Sequence, residues 1–528
     1  MSTKQEQNQK QKLVPEQGQD QGQEQVRRRG QGHEGRAPGG RQAVWWLVAV
    51  AAAFTAAQLL FIGPGLGLGW DESVYVSQVA PHIPSAYFSA PRSRGTSVVV
   101  APLVLLTDSE VALRIYLAVL SGAGLFLALW VWRRLRPVPV LALAGLLFAG
   151  LWVAQIYGFQ AMPNVWIALC GLAAVGCFLR AGADPADRRA LVGLALSLAA
   201  AALLRPTDAV WLSLPMGVGA LLVRRWRRPL LLAAVAGGLV LGSAQWIIEA
   251  YVSYGGLTAR LHRSSEIQGG LGWNPAALLD QYRTLAGGPM LCRPCHAPNP
   301  NPVVAIWWFA LPFAAAAGVY VSARRRREWA TALLPALCGL SVAVQYLLFI
   351  GYAAPRFLLP AYALLAIPVA DLLIAAARPV RLRHRPRLRL AATSLVALAV
   401  VGQLVSQQVV LRHAVHIATS GTEDYARMAA GLRSHGVRPP CLVTGSGPAI
   451  PVAYQARCRA GNLSGSNENM TRAELLATAA RQPVAVLVPP GGKVPAYARH
   501  WTSHPLTGLH GRSRIGYRVF LSPATPQR

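Results

Sequence analysis

The sequence is poor in charge, and in acidic charge above all. Only 14% of its 528 residues are charged, and 21 Asp and Glu stand against 51 Lys and Arg, which gives a formal net charge of +30. Soluble domains carry about 25% charged residues. A chain that is also 53% hydrophobic is therefore neither an ordinary soluble enzyme nor disordered. A basic membrane protein and a nucleic-acid binder remain, and the placement of the arginines separates them.

Lysine is almost absent too, with four residues against 47 Arg, and with the abundant Ala this is typical of a GC-rich genome such as an actinobacterium's. Long apolar runs separate the Arg clusters, and a helix of about 20 apolar residues crosses a ~30 Å hydrocarbon core. We therefore predict a mainly α, polytopic membrane protein with about 11 transmembrane helices. They are expected at 43–62, 112–132, 138–156, 163–179, 190–204, 208–223, 229–250, 303–322, 330–350, 357–377 and 390–410.

Every second connection between these runs is short and rich in Arg. The Arg-rich connections are 133–136, 180–189, 224–228, 324–327 and 378–389. By the positive-inside rule they lie in the cytoplasm, which makes the N-terminus cytoplasmic and the C-terminal segment extracytoplasmic in a multi-pass protein of the cell (plasma) membrane. This alternation favours the lipid bilayer as partner and argues against nucleic acid.

The chain divides into three parts. Residues 1–42 are rich in Gln, Gly, Glu and Arg and predict a disordered cytoplasmic tail. Residues 43–410 form the membrane domain, whose long outer loops are 63–111 and 251–302. Residues 411–528 alternate helix-like stretches, at 422–435 and 471–480, with strand-like ones, at 441–445, 484–490 and 515–521. This alternation predicts a small extracytoplasmic α/β domain.

A Gly-Ser-Gly sequence at 445–447 follows the first strand expected in this C-terminal domain. A dinucleotide-binding turn needs a third glycine and a following acidic partner, and both are missing. The sequence therefore favours a simple turn at this point.

Cysteine is scarce, and four of the seven residues lie outside the apolar runs. Disulfides persist outside the cytoplasm, so Cys441 with Cys458, and Cys292 with Cys295, are disulfide candidates. A zinc half-site is the alternative for the second pair (CRPC), but no second pair with suitable spacing lies nearby. The other three cysteines lie within the spans, where a thiol behaves as a small hydrophobe: Cys170, Cys177 and Cys338.

Two adjacent carboxylates, Asp71 and Glu72, begin the first outer loop. On a non-helical exit from a span they can point in different directions, so that one faces a cavity while the other bonds backbone or Arg. Apolar surroundings raise the pKa of a carboxylate and make it a better general base for a sugar hydroxyl. The structural alternative is that Asp71 caps a helix beginning at Ser73, and the two roles are compatible.

Four segments resemble one group of membrane enzymes. They are the acidic pair with Tyr75 three residues beyond Glu72, the run DSEVALRIYLAVLSGAGLFLALWVWRRL, LLRPTDAVWLSLP at 203–215, and PRFLLPAYALLAIP at 355–368. Together they resemble membrane glycosyltransferases of the GT-C superfamily, and within it the protein O-mannosyltransferase and aminoarabinose-transferase-like family of bacteria. The resemblance covers residues 43 to about 410, and the last 118 residues match no family.

The resemblance implies inverting transfer of a sugar from a polyprenyl-phosphate-linked or pyrophosphate-linked donor to an acceptor at the outer face. In that scheme Asp71 is the general base, and Glu72 orients it or the acceptor. Arg356 faces the lipid phosphate. Arg205 is a second phosphate candidate, although a pairing with Asp208 explains it equally well.

One position departs from the family, because its second acidic residue, between the third and fourth spans, is replaced by Asn164. An amide can hydrogen-bond a sugar but is a poor base and a weak ligand for a divalent ion. No cofactor is required by this interpretation, and a divalent metal is left open but is not supported. The remaining candidates for substrate binding are aromatic or basic residues of the outer segments, namely Tyr75, Arg263 and Tyr352.

A transporter or flippase of lipid-linked cell-envelope intermediates is the main alternative function. It would explain the spans and the outer arginines without Asp71. Transporters usually bury ionisable groups near the mid-membrane and repeat internally, whereas these spans hold few charges away from their ends. A non-catalytic scaffold is a third possibility. The sequence leaves open which sugar is moved and whether the acceptor is a glycan, a lipid or a protein.

Overall fold

The structure is a computed structural model, and most of the chain is helical. It describes residues 40–525 except for 271, 294, 327–328, 380–383, 446 and 507–515. The predicted disordered tail, 1–42, lies outside the described residues apart from its last three, which begin the first helix.

The described residues form eighteen α-helices and five strands. The first ten helices are α1 (Gly40–Phe61), α2 (Trp70–Ser77), α3 (Gly95–Val104), α4 (Glu110–Trp132), α5 (Val138–Ala149), α6 (Trp152–Gly158), α7 (Pro163–Ala183), α8 (Arg188–Leu204), α9 (Pro206–Leu222) and α10 (Pro229–Ser253). The next six are α11 (Leu257–Ile267), α12 (Ala276–Arg283), α13 (Pro302–Arg326), α14 (Ala330–Val344), α15 (Leu359–Ala377) and α16 (Pro386–Ser434). A π-helical turn, Gln345–Phe349, and a 3-10 turn, Pro355–Leu358, connect α14 to α15.

Within the described residues, eight helices are long and apolar enough to cross a membrane, or nine if α5 and α6, bent by 78°, count as one broken span. These eight are α1, α4, α7, α10, α13, α14 with its π turn, α15 with its 3-10 turn, and α16. Helices form at all eleven predicted places, but the count of about 11 spans is not confirmed. Helices α8 and α9 have 17 residues each, or ~25 Å, which is shorter than a ~30 Å hydrocarbon core.

Helices α7 and α15 form the centre of the helical part. Buried residues make up 83% of the apolar window in α7 and 78% in α15, against 22% in α1 and α13. Such a helix must be apolar on all faces, which explains why the sequence of these two shows no polar side.

Close contact between α8 and α10 depends on glycine. A Cβ built on Gly242 would lie 2.1 Å from the carbonyl oxygen of Ala199, and one on Gly238 would lie 2.6 Å from that of Ala195. Small residues four apart on both helices let the two backbones touch, as is common between membrane helices.

Helix α16 runs without a break for 49 residues, ~73 Å at 1.5 Å per residue. The last predicted span, 390–410, and the helix expected at 422–435 are therefore one element, and the boundary drawn at 410/411 falls inside it. Buried positions continue past that point, at Leu411 and Ala414 and again at Met428 and Leu432, so the helix stays packed on both sides of the boundary.

A five-stranded sheet follows α16, as the sequence predicted for an α/β region. Its elements are β1 (Leu442–Gly445), α17 (Ala449–Ala456), β2 (Arg459–Gly461), α18 (Arg472–Ala479), β3 (Val484–Val488), β4 (Thr502–Leu506) and β5 (Tyr517–Leu521). The order is β2-β1-β3-β5-β4, with β1 parallel to both β2 and β3 and the remaining pairs antiparallel. Strands β2 and β4 were not foreseen, because one has three residues and the other contains Pro505.

Candidate active site

Helix α2 carries the acidic pair and begins at Trp70, directly after the extended residue Gly69. The carboxylate of Glu72 reaches back and accepts a hydrogen bond from the Gly69 N–H at 2.9 Å. The helix is therefore capped by Glu72, and the alternative in which Asp71 caps a helix starting at Ser73 is wrong. Asp71 is left on the first turn with its side chain free for other partners.

Glu72 is an anchor inside the protein. Its side chain is 2% exposed and forms a two-pronged ion pair with the buried Arg114 of α4, at 2.5 and 3.0 Å. The Ala161 N–H donates to the same carboxylate at 2.7 Å. Both oxygens are thus taken up by protein donors. The two carboxylates do point in different directions, and Glu72 is the one that bonds backbone and Arg.

Asp71 lies between two guanidinium groups. Its Oδ1 accepts from Arg92 Nη2 at 2.7 Å, and its Oδ2 accepts from Arg356 Nη2 at 3.1 Å. The Asp71 side chain is 28% exposed, more than that of either arginine. Arg92 was not among the sequence candidates, although it is one of only two basic residues in the loop 63–111 that precede α3.

The pKa of Asp71 lies below its ordinary value, against the expectation that apolar surroundings would raise it. Burial does act to raise this pKa, but the positive charges of Arg92 and Arg356 and the hydrogen bond from Arg92 outweigh it, with a smaller contribution from Arg205. Asp71 is therefore ionised at neutral pH. The fold places Arg92 and Arg356 beside Asp71, and their charges decide that its pKa is lowered and not raised. The sequence does not show that these residues meet.

Arg356 is held by groups from three parts of the chain. Its Nη1 donates to the Met290 carbonyl at 3.0 Å and to the Tyr157 hydroxyl at 3.3 Å. Just before it, Ala353 exchanges two backbone hydrogen bonds with Cys292, at 2.8 and 3.2 Å. The loop that contains the Cys292–Cys295 disulfide therefore fixes the segment that presents Arg356.

Arg205, at the junction of α8 and α9, forms the pairing that the sequence left open. Its Nε lies 3.6 Å from the carboxylate of Asp208, which is fully buried and also accepts from the Tyr346 hydroxyl. The guanidinium lies 5.3 Å from the ring centre of Phe357, the residue that follows Arg356. Arg205 therefore pairs with Asp208 and also lies next to the Asp71 cluster, which consists of Asp71, Arg92 and Arg356.

Two of the remaining candidates, Tyr75 and Tyr352, lie beside residues of this region. The Arg92 guanidinium lies 5.2 Å from the Tyr75 ring centre, and the Tyr352 ring packs edge-on against Phe357 at 5.4 Å. Both aromatic residues therefore border the cluster.

Arg263 and Asn164 are the two other candidates. Arg263 on α11 pairs with Glu266 at 3.1 Å and donates to the Gly465 carbonyl at 3.3 Å. Asn164 is 1% exposed, and its amide has no hydrogen-bond partner among the described residues.

The cysteines form the two disulfides that were candidates, Cys292–Cys295 and Cys441–Cys458. The cysteines within the helices are free: Cys170, Cys177 and Cys338. In the described part of the chain no three His, Cys, Asp or Glu side chains come close enough to hold a metal ion.

The face that carries the Asp71 cluster also carries the C-terminal sheet. Trp70 Nε1 donates to the Gly447 carbonyl at 3.2 Å, and Gln455 of α17 donates to Glu110 at the start of α4 at 2.7 Å. The other end of α4 continues into the Arg-rich connection 133–136. The site and the Arg-rich segment therefore lie at opposite ends of one candidate span.

Solved structures show what this arrangement is similar to, whereas no protein-family profile and no curated protein matches the chain. ArnT, an aminoarabinose transferase from Cupriavidus metallidurans, solved bound to undecaprenyl phosphate, gives a TM-score of 0.64 at 14% identity over 91% of this chain and 99% of that one. The apo oligosaccharyltransferase of Archaeoglobus fulgidus gives 0.53 at 13% identity over 84% and 69%. Both are GT-C superfamily membrane glycosyltransferases. The resemblance to the GT-C superfamily is thus confirmed in the fold, which is that of a multi-pass membrane protein.

Proposed function

Starting from the GT-C fold, we propose that this chain is a membrane glycosyltransferase that moves a hexose or pentose from a polyprenyl-phosphate-linked donor to an acceptor at the outer face. One observation carries the proposal: Asp71, partly exposed at the end of the helical part, is held between Arg92 and Arg356. A carboxylate base beside guanidiniums that can bind a phosphate is what this reaction requires. ArnT, the structure of similar fold, was solved with undecaprenyl phosphate bound.

Arg356 and Arg205 are the groups we assign to the donor phosphate. A guanidinium is always charged, and its planar fork matches two phosphate oxygens. Aromatic rings flank both, with Tyr157 at 5.6 Å from Arg356 and Phe357 at 5.3 Å from Arg205. Such a setting keeps water away and strengthens the attraction to the charge that develops on the leaving phosphate.

Asp71 is the proposed general base. An acceptor hydroxyl attacks the anomeric carbon from the side opposite to the phosphate and gives its proton to Asp71. The bond from the anomeric carbon to the phosphate oxygen breaks, and polyprenyl phosphate leaves with the electron pair. The anomeric configuration is thereby inverted.

Donor binding would itself activate this base. Oδ2 of Asp71 accepts a hydrogen bond from Arg356, so one of its lone pairs is engaged. A phosphate that binds Arg356 neutralises one of the two cations that lower the Asp71 pKa. The base then strengthens when the donor is in place, which limits proton abstraction to the loaded enzyme.

The orientation follows from charge. The end of α4 that carries the Arg-rich connection lies away from the site, and positive charge favours the cytoplasm. We therefore place the Asp71 cluster and the C-terminal sheet at the outer face, with the N-terminus inside.

Transfer of radiolabelled hexose and pentose from synthetic polyprenyl phosphates by the full chain in nanodiscs tests the proposal. Asp71→Asn should lower transfer at least about 1,000-fold, since it removes the base. Asp280→Asn is the matched control, because Asp280 also pairs with an arginine, Arg283 at 3.2 Å, but lies outside the cluster. Unchanged transfer by Asp71→Asn would reject the assignment. Lipid scrambling without any transfer would instead support the flippase.

A further inference from the structure

A separate cavity of about 450 Å³ opens at the carboxyl ends of the parallel strands β1, β2 and β3. Strand β1 lies between the other two, so the chain passes from β1 to β2 on one side and then crosses to β3 on the other side of β1. In α/β sheets the crevice at such a switch point is where ligands bind. The volume falls within the ~300–1,000 Å³ of small-molecule sites.

The cavity wall is polar but nearly uncharged. Hydroxyl and amide side chains supply its polar groups, namely Thr444, Asn462, Ser464, Ser466 and Asn467. Two aromatic side chains, Trp70 and Tyr497, line it as well, and Lys493 is the one charged residue among the described lining residues. Amides and hydroxyls that both donate and accept, next to aromatic surfaces, suit the hydroxyl groups and apolar faces of a sugar ring.

One polar atom of the wall has no partner within the described structure. Asn462 Nδ2 is buried without a hydrogen bond, although the backbone N–H of the same residue donates to Asn469 at 2.7 Å. Buried donors are nearly always paired. A ligand hydroxyl would supply the partner once the Asn462 amide turns into the cavity.

Trp70 connects this cavity to the Asp71 cluster. It lines the cavity and directly precedes Asp71 in α2. The Arg92 guanidinium, which donates to Asp71, lies 5.5 Å from the centre of the Trp70 ring. A molecule in the cavity therefore shares a wall with the proposed base.

A nucleotide fits this wall less well. In dinucleotide-binding sheets an acidic residue near the end of β2 accepts from the ribose hydroxyl, whereas Asn462 follows β2 here. The turn after β1 has only the two glycines Gly445 and Gly447, both with positive φ.

We propose that this cavity binds a sugar unit of the acceptor and so holds an acceptor glycan beside Asp71. The proposal rests on the proposed function, because the bound sugar is an acceptor only if the chain transfers sugars. The binding of sugars to the cavity can nevertheless be measured without turnover. It names the acceptor class as carbohydrate and gives the C-terminal sheet a direct part in selecting it.

The test measures binding of mannobiose, arabinobiose and chitobiose to the full chain in nanodiscs by saturation-transfer difference NMR and calorimetry. Ser466→Trp fills the cavity and should weaken binding of the preferred disaccharide at least tenfold. Glu468→Trp is the matched control: it places the same bulk on the same connection at an exposed residue that does not line the cavity. Asn467→Ala, which only removes an amide, should weaken binding at least threefold and serves if Ser466→Trp fails to fold.

The outcomes separate this proposal from the catalytic one. Asp71→Asn should bind the disaccharide as the wild type does, while transfer is lost. In the transfer assay, Ser466→Trp should raise the acceptor KM at least tenfold and leave the donor KM unchanged. If none of the disaccharides binds the wild type, or if Ser466→Trp binds as well as Glu468→Trp, the cavity proposal fails whatever the transfer assay shows. ADP or pyrophosphate binding that Ser466→Trp abolishes, in place of sugar binding, would also overturn it.

Discussion

Arg356 Nη2 lies 3.1 Å from Asp71 Oδ2, although 285 positions separate the two residues in sequence. Asp71 follows the first candidate span, and Arg356 lies in the 3-10 turn that leads into α15. Burial alone would weaken an acid placed here, and the charge of Arg356 is one reason that Asp71 stays ionised. The pair joins the proposed phosphate-binding group to the proposed base.

Replacing Arg356 should lower kcat/KM for the donor more than replacing an arginine outside the Asp71 cluster. Arg356→Ala is expected to lower kcat/KM for the lipid-linked donor about 100-fold, or about 2.7 kcal/mol, with Arg356→Lys in between because an ammonium lacks the planar fork. Steady-state transfer kinetics would show this. Arg283→Ala, from a pair outside the cluster, is the control, and an equal loss there would contradict the assignment.

Arg92 should control the acid side of the pH profile. The pKa of Asp71 lies below its ordinary value of 3.8, so its stabilising ion pairs are present above that value and are lost as the pH falls through the lower folded-state pKa. Arg92→Ala removes one cation, raises that pKa and should move the acid limb of kcat/KM to higher pH. It also removes the hydrogen bond that holds Asp71 Oδ1 in place, for which we expect about a tenfold loss of rate, about 1.4 kcal/mol.

Arg94→Ala is the control for Arg92, because Arg94 pairs with Glu249 at 2.7 Å and not with Asp71. An acid limb that does not move in Arg92→Ala, or that moves equally in Arg94→Ala, would contradict this account of the Asp71 pKa.

Replacing Glu72 should lower the stability of the fold and should affect catalysis only as a consequence. Glu72→Gln leaves the charge of Arg114 buried and unpaired, which costs about 3–5 kcal/mol. Thermal unfolding in detergent would detect the loss, and the double variant Glu72→Gln with Arg114→Met should recover part of it. Wild-type stability of Glu72→Gln together with abolished transfer would instead make Glu72 a catalytic residue.

The Cys441–Cys458 disulfide, with a sequence separation of 17, should stabilise the C-terminal sheet. Closing a loop of about 15 residues stabilises a fold by about 3 kcal/mol in the chain-entropy view. Changing both cysteines to Ser should therefore destabilise this region by about 2–4 kcal/mol in proteolysis and unfolding experiments. Alkylation of either cysteine without reductant, followed by mass spectrometry, would show that the bond does not form.

Two glycines of α10, five positions apart, should respond differently to substitution by alanine. Gly242→Ala introduces a Cβ 2.1 Å from the Ala199 carbonyl oxygen, whereas a Cβ on Gly237 meets no atom within 4 Å. We expect Gly242→Ala to destabilise by about 1–3 kcal/mol and Gly237→Ala to be neutral or stabilising. Comparable melting temperatures for the two variants would mean that α8 and α10 are not in close contact.

Local features could be inferred from the sequence. Apolar runs locate helices because a helix of about 20 residues meets its membrane environment without help from distant segments. The acidic pair and the cysteine pairs were found because each stands out beside its neighbours in the chain, whereas Arg356 was found through the resemblance of its segment to a known family. The strands β1, β3 and β5 were visible for the same reason, since their buried residues are consecutive.

The tertiary structure decided everything that depends on which residues meet. Arg92 and Arg114 are visible in the sequence, but only the structure shows that Arg92 contacts Asp71 and that Arg114 contacts Glu72. Those contacts divide the roles of the two carboxylates and lower the pKa of Asp71, where local reasoning raised it. Electrostatic energy depends on distance and burial. Segments far apart in the chain set both, so the apolar pattern determined a polytopic helical protein and only its folding determined the chemistry of Asp71.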